Sequence, residues 1–260
     1  MTKKMINWKH IQRKRGIHER RYNRKFRTAL NKLSAPIFEL IKNNDFTSPE
    51  DVDMGFELIL LDGNIIKSVY DAMYVDVGLT WIDNVDKLIQ KNLFTENDWN
   101  KLLLSAVEGE VAERIVSIVN TSRNRAKKLI KKEVAEGIER GEAIRDINKR
   151  INRVVPVGIR KKNKFRALTI ALTEVGTVQS QASFIGAKQF GTDVIKIWNT
   201  APYGFAKEER HNKMNMNGQE RRMDEMFDVG GELMRFPGDP RGSAANTINC
   251  NCVMTYKAAV

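Results

Sequence analysis

Cysteine is scarce in this 260-residue chain: there are two, Cys250 and Cys252, separated by a single residue. At that spacing neither side chain reaches the other in unstrained disulfide geometry, so oxidative stapling does not hold the fold. Long apolar runs are missing too. Stretches such as Phe56 to Leu61 are interrupted within a few residues, far short of the ~20 a bilayer demands, and no membrane span is expected. The basic N-terminus is not followed by an apolar segment of secretory type and does not read as a signal peptide, so a protein kept in the cytoplasm, or in a particle assembled there, is expected. There is no G-x-S-x-G nucleophile motif, internal repeat or low-complexity segment. The 42% of apolar residues nonetheless suffice for a core.

What the chain has in excess is positive charge, +12 overall. Residues 1 to 32 hold twelve Lys and Arg against the single acid Glu19, which leaves 32 basic and 31 acidic side chains for the other 228 residues. Residues 43 to 113 then hold fifteen acids and four lysines, and residues 114 to 260 hold 27 bases and fifteen acids. The chain alternates positive, negative, positive. An excess of this density exceeds an ordinary solvated face and points to phosphate contact through counterion release, with the bases at Lys3, Lys4, Lys9, Arg13, Lys14, Arg15, Arg20, Arg21, Arg24, Lys25 and Arg27 as the DNA-binding set. Trp8, Tyr22 and Phe26 among them can stack on bases, but on a helix packing inward is the better reading. The alternative for the arm is docking on an acidic protein patch.

The coarse organisation is helical at first. Apolar residues recur at helical intervals from Trp8 to Ile41, with a break at Ser34 and Pro36. Thr47-Ser48-Pro49-Glu50 and Thr95-Glu96-Asn97-Asp98 carry helix-start chemistry. A helix from Trp99 to about Val119 is followed by a helical stripe through Ile151, read as two helices joined at Arg140-Gly141. Pro156, within Val154 to Val157, is expected to end this half and mark the domain boundary. Past Phe190-Gly191 the chemistry changes: Val194 to Trp198 and Cys252 to Lys257 read as strands, with Gly230-Gly231, Pro237-Gly238-Asp239-Pro240 and Gly242 as loops between them. The expected fold class is α+β: a basic N-terminal arm over 1–35, a helical region over 36–155, and a small loop-rich α+β domain over 156–260.

From Leu168 onward six elements occur in a fixed order: Thr173-Glu174, Lys196-Ile197-Trp198, Arg210-His211, Asp224-Glu225-Met226-Phe227, Pro237-Gly238-Asp239-Pro240 and Asn249-Cys250-Asn251-Cys252. This order resembles the phage Mu F-like minor head proteins, a head morphogenesis family of tailed bacteriophages. His211 precedes Gly218 by seven residues, a longer spacing than the family's, and Asn251 stands where the family commonly has an arginine between the cysteines. The resemblance implies a minor capsid protein inside the virion, bound to the portal and to DNA, with scaffold or major capsid protein as further partners and with a role in head assembly or DNA ejection. It makes Thr173, Glu174, Trp198, Arg210, His211, Asp224, Phe227, Pro237, Asp239, Asn249, Cys250 and Cys252 structural motif residues.

Other readings of the same residues stay open. His211, Cys250 and Cys252, with Asp224 or Glu225 as a fourth ligand, have zinc-binding chemistry, but a C-x-C pair gives at best half a site. No metal and no cofactor is therefore expected, and the cysteines are read as small buried residues at a strand start. Glu174, Arg210, His211 and Asp239 can converge as acid, cation and base; the structural alternative is a buried Glu174–Arg210 pair. The preferred reading is a non-enzyme, with a virion-carried DNA-processing or ADP-ribosylating enzyme, or a stand-alone helical nucleic-acid-binding protein, as alternatives.

Overall fold

The computed structural model describes residues 7–89, 95–189, 194–202, 210–211 and 214–259, with the backbone only for 83–89. Its first element, α1 (Trp8–Leu33), is helical from end to end. Ser34 then bonds its hydroxyl back to the Leu30 carbonyl at 2.8 Å, and α2 (Ala35–Asn43) starts with Pro36 in its first turn. The expected break therefore falls where it was read. α3 (Pro49–Glu57) is capped by Ser48, whose hydroxyl accepts from Asp51 N–H while the Asp51 carboxylate accepts from the Ser48 backbone. This reciprocal arrangement satisfies two donors that a helix start otherwise strands. α4 (Asn64–Ile89) follows, and α5 (Glu96–Ala106) repeats the same box with Thr95 and Asp98. A π-helical turn (Val107–Val111) joins α5 to α6 (Ala112–Glu139). Gly141, at φ +66°, turns the chain into α7 (Ile144–Lys188), as the Arg140-Gly141 junction requires.

α7 corrects one expectation, because it runs through Pro156 for 45 residues. The proline removes one backbone hydrogen bond, a cost of ~3 kcal/mol. Against it stands an apolar stripe that continues across the site: Ile147, Ile151 and Val155 are sequestered and Ile159 is 7% exposed. Burial of four such side chains at ~1.5–3 kcal/mol each outweighs one lost bond.

The C-terminal part is a small β structure. β1 (Val194–Asn199) lies between β2 (Glu220–Arg222) and β5 (Val253–Ala258), antiparallel to both. β3 (Phe227–Val229) and β4 (Glu232–Met234) form a separate hairpin. Its two-residue turn is Gly230-Gly231, both at positive φ, a conformation that glycine adopts without Cβ strain. A one-turn helix, Ala244–Thr247, precedes the cysteines. β1 and β5 lie where the sequence places them; β2, β3 and β4, three residues each, were read as loop. The class is α+β, mostly helical with a small antiparallel C-terminal region.

Two compact units emerge, and their limits differ from the expected boundaries at 35 and 155. One comprises Met1–Asn23, Tyr70–Val111 and Thr169–Val260; the other comprises Arg24–Val69 and Ala112–Leu168. Within the second, Asp53 of α3 receives Lys127 and Lys131 of α6, each at 2.7 Å, and the Arg123 guanidinium donates to the carbonyls of Phe56 and Ile59. Asn163 of α7 donates to the Leu30 carbonyl and the Ser34 hydroxyl, holding the α1–α2 junction. Within the first, a core of Trp198, Phe227, Phe236, Met216 and Met234 includes Cys250 and Cys252.

Candidate functional site

Cys250 and Cys252 sit two residues apart at the entry to β5, and in extended chain residues i and i+2 face the same side. Asn249 makes the preceding turn with φ 56°, a left-handed conformation that Asn tolerates better than most residues. Four hydrogen bonds fix this turn. The Asn249 N–H donates to Thr173 Oγ1 of α7 at 3.1 Å, and Arg15 of α1 donates to the Cys250 and Asn251 carbonyls, both at 3.2 Å. Cys250 N–H donates to the Thr247 carbonyl. Opposite them, His211 stands on a helical turn whose carbonyl accepts from Met216 N–H at 3.1 Å, and its ring packs edge-on against Trp198 at 5.6 Å. His211 Nδ1 comes within 3.3 Å of Cys252 Sγ and 3.8 Å of Cys250 Sγ. All three residues are buried, and their ligand atoms lie within 4.8 Å of one another.

The fold brings together His211, Cys250 and Cys252, the three residues read from the sequence as zinc-type ligands. Asp224 and Glu225, named as possible fourth ligands, are exposed, and Glu225 instead accepts from Arg222 N–H at 2.9 Å.

A second cluster explains the Pro-Gly-Asp-Pro element. Asp239 is fully buried and accepts from Arg235 Nε at 2.8 Å and Nη2 at 2.7 Å, as well as from the backbone N–H groups of Arg235 and Arg241. The other edge of the same guanidinium makes two bonds of 2.7 Å to Glu110 in the π-helical turn. Gln181 donates to Glu110, and Tyr74 donates to Gln181. Gly238, at φ +75°, passes close to Thr177, whose hydroxyl donates to the Gly238 carbonyl. Burial pushes the Asp239 carboxyl up, but the Arg235 bonds outweigh it and hold it below its usual value. Arg235, Glu110 and Gln181 were not singled out in the sequence; the Arg235–Asp239 spacing of four is the only signal they leave.

Lys196 shares the inner face of β1 with Trp198. It is fully buried, donates to the Met223 carbonyl at 3.4 Å, and its ammonium lies 5.1 and 5.3 Å from the Phe184 and Phe227 ring centres. Burial lowers its pKa to about 8.

Of the four residues proposed as an acid, cation and base constellation, His211 and Asp239 are drawn to different partners. His211 meets the cysteines and Asp239 meets Arg235, while Arg210 lies near enough to Glu232 to contribute to that carboxylate's lowered pKa, whose largest cause is the bond from Ser243. Glu174 is buried on α7. Among the other motif residues, Trp198 and Phe227 are fully buried with rings 5.2 Å apart, and Pro237 is buried beside Gly238.

The basic arm proves to be part of the fold. Lys3 and Lys4 lie outside the described residues. Arg15 is withdrawn from the DNA-binding set, because its guanidinium is fully buried on the cysteine turn. Arg21 pairs with Asp76 of α4, which also accepts from Tyr22 Oη at 3.0 Å. Tyr22, Phe26 and Leu30 are fully buried. What faces outward is a stripe of Lys9, Arg13, Arg20, Arg24 and Arg27, all exposed and spaced at helical intervals along one side of α1.

A long-helical protein with a small antiparallel β region, a buried Cys-x-Cys turn facing a histidine, and a basic first helix is the class these features define. Residues 128–255 match the model of the family described as phage Mu protein F like protein, and over that stretch the chain is similar to this family. The family suggests a bacteriophage head morphogenesis protein. The chain is also similar to a protein of Bacillus subtilis (strain 168) described as "Uncharacterized protein YqbB", with 27% identity over 176 residues, 62% of this chain and 56% of that protein. The chain thus matches a little over half the length of this relative. No solved structure matches. Among the described residues no helix is long and apolar enough to cross a membrane.

Proposed function

We propose that the protein is a minor head component of a tailed bacteriophage, held inside the capsid at the portal, where the outward face of α1 lies against packaged DNA. The observation that carries the DNA contact is the stripe Lys9, Arg13, Arg20, Arg24 and Arg27, exposed on a helix whose opposite side is anchored in the core. A rigid row of cations matches a phosphate backbone without reading bases, so binding is expected to be sequence-independent. Exposed Arg125, Lys128, Lys161, Lys162 and Lys164 on α6 and α7 add a weaker contribution. The reading is of a binding protein rather than an enzyme, because His211 is turned to the cysteines and Asp239 to Arg235, two different sets of contacts.

The test is duplex-DNA affinity measured across a salt series. Five phosphate contacts at ~0.9 each give a slope of log affinity against log salt of about −4 to −5. Replacing the five stripe residues with Gln leaves the core intact and should flatten that slope and abolish most binding. Undiminished binding by this variant removes α1 as the DNA face. Absence of the chain from isolated portal complexes and mature heads removes the capsid assignment.

A further inference from the structure

We propose that His211, Cys250 and Cys252 bind a zinc ion that ties the His211 turn to the start of β5. This goes beyond the proposed function and does not depend on it.

The donor set is the one zinc prefers, two thiolates and an imidazole. Its spacing fits as well. Zn–N of ~2.0 Å and Zn–S of ~2.3 Å at the tetrahedral angle put N and S about 3.5 Å apart and two sulfurs about 3.8 Å apart. His211 Nδ1 stands 3.3 and 3.8 Å from the two sulfurs, and all three ligand atoms fall within 4.8 Å of one another. A centre of two thiolates, a neutral imidazole and Zn²⁺ carries no net formal charge, so it is tolerated in a buried place where a bare cation is not.

The scaffold holds the ligands from several directions. Trp198 packs on the imidazole; Thr173 and Arg15 fix the backbone on either side of the cysteines. Gly176 of α7 gives the cysteine turn room, since a Cβ there would stand 2.9 Å from the Cys250 carbonyl oxygen. Binding releases the two thiol protons to solvent and involves no redox change. A fourth ligand, water in the simplest case, completes the tetrahedron.

The competing account of the same distances is a thiol-to-imidazole hydrogen bond with no metal. The two are separated by purifying the full chain under a phosphine reductant without chelator, measuring bound metal by plasma mass spectrometry, and replacing it with cobalt. The expected result is stoichiometric zinc and, with cobalt, a thiolate-to-metal charge-transfer band together with the intense visible bands of tetrahedral coordination. Cys250→Ser and Cys252→Ser should each lose the charge-transfer intensity, and strong chelation should lower the melting temperature of the wild-type chain, restored by zinc. Folded, reduced wild-type protein that holds only trace metal and gives no cobalt–thiolate band overturns the proposal, whatever the serine variants do.

Discussion

Arg235 is clamped between two carboxylates, with Asp239 on one edge of its guanidinium and Glu110 on the other. Its removal leaves a carboxylate buried without compensation, which costs more than the pair contributes when intact. Arg235→Met should therefore lose about 3–5 kcal/mol in urea unfolding. The same clamp has a pH signature. Asp239's folded pKa is depressed, so its stabilisation is present above the ordinary carboxylate value of about 3.9 and is lost as pH falls through the lowered value. The acid limb of the stability profile should shrink in Asp239→Asn. Lys196 has the opposite linkage. With a folded pKa of about 8 against an ordinary value of about 10.4, its buried charge is a constant penalty below pH 8 that fades as pH rises. Lys196→Met should raise stability at neutral pH by about 1–2 kcal/mol, less than the full pKa difference because two cation–π contacts are lost. The advantage should vanish near pH 10; a gain that persists there, or a loss at neutral pH, removes the desolvation account.

At the scale of elements, α7 carries the close approach that the C-terminal turn depends on. Gly to Ala inside a helix is ordinarily stabilising by about 1 kcal/mol. At Gly176 the added methyl meets the Cys250 carbonyl and the Arg15 guanidinium, so Gly176→Ala should instead destabilise by about 1–3 kcal/mol, while Ala at exposed Gly109, where a Cβ meets nothing within 4 Å, should not. A stabilised Gly176→Ala variant would mean that the turn adjusts freely.

Helix starts at Ser48 and Thr95, the Gly141 junction, and strands β1 and β5 were legible because each depends on local chemistry: caps, positive φ, alternation. The short strands were not. Three residues carry too little alternation to register, although Gly230-Gly231 between Phe227–Val229 and Glu232–Met234 is a hairpin turn by its own chemistry. Pro156 misled because local propensity lost to a tertiary stripe that a linear reading cannot weigh. The cysteine pair was legible as buried and His211 as its candidate partner by residue type, but across 39 and 41 residues of chain only the fold provides the distances between them.

For the whole molecule, the charge distribution along the chain suggested a detachable arm that could be cut away with the fold left standing. The structure assigns α1 a different part. Its outward side is cationic, but Tyr22, Phe26, Leu30 and Leu33 on the inward side are at most 1% exposed, Arg15 holds the cysteine turn, and Asn163 of α7 bonds to its last turn. Deleting residues 1–33 removes four large buried side chains, each contributing ~1.5–3 kcal/mol, and leaves the Cys250 and Asn251 carbonyls without their guanidinium donor. The sum is comparable to the ~5–15 kcal/mol stability of a typical domain. The truncated chain should therefore show no cooperative urea transition, whereas the variant with Gln at Lys9, Arg13, Arg20, Arg24 and Arg27 should melt as the wild type does and lose only its salt-dependent DNA affinity. A cooperative, wild-type-like transition in the truncated chain would return α1 to the status of an independent arm, and would place the DNA contact on a segment that the core does not need.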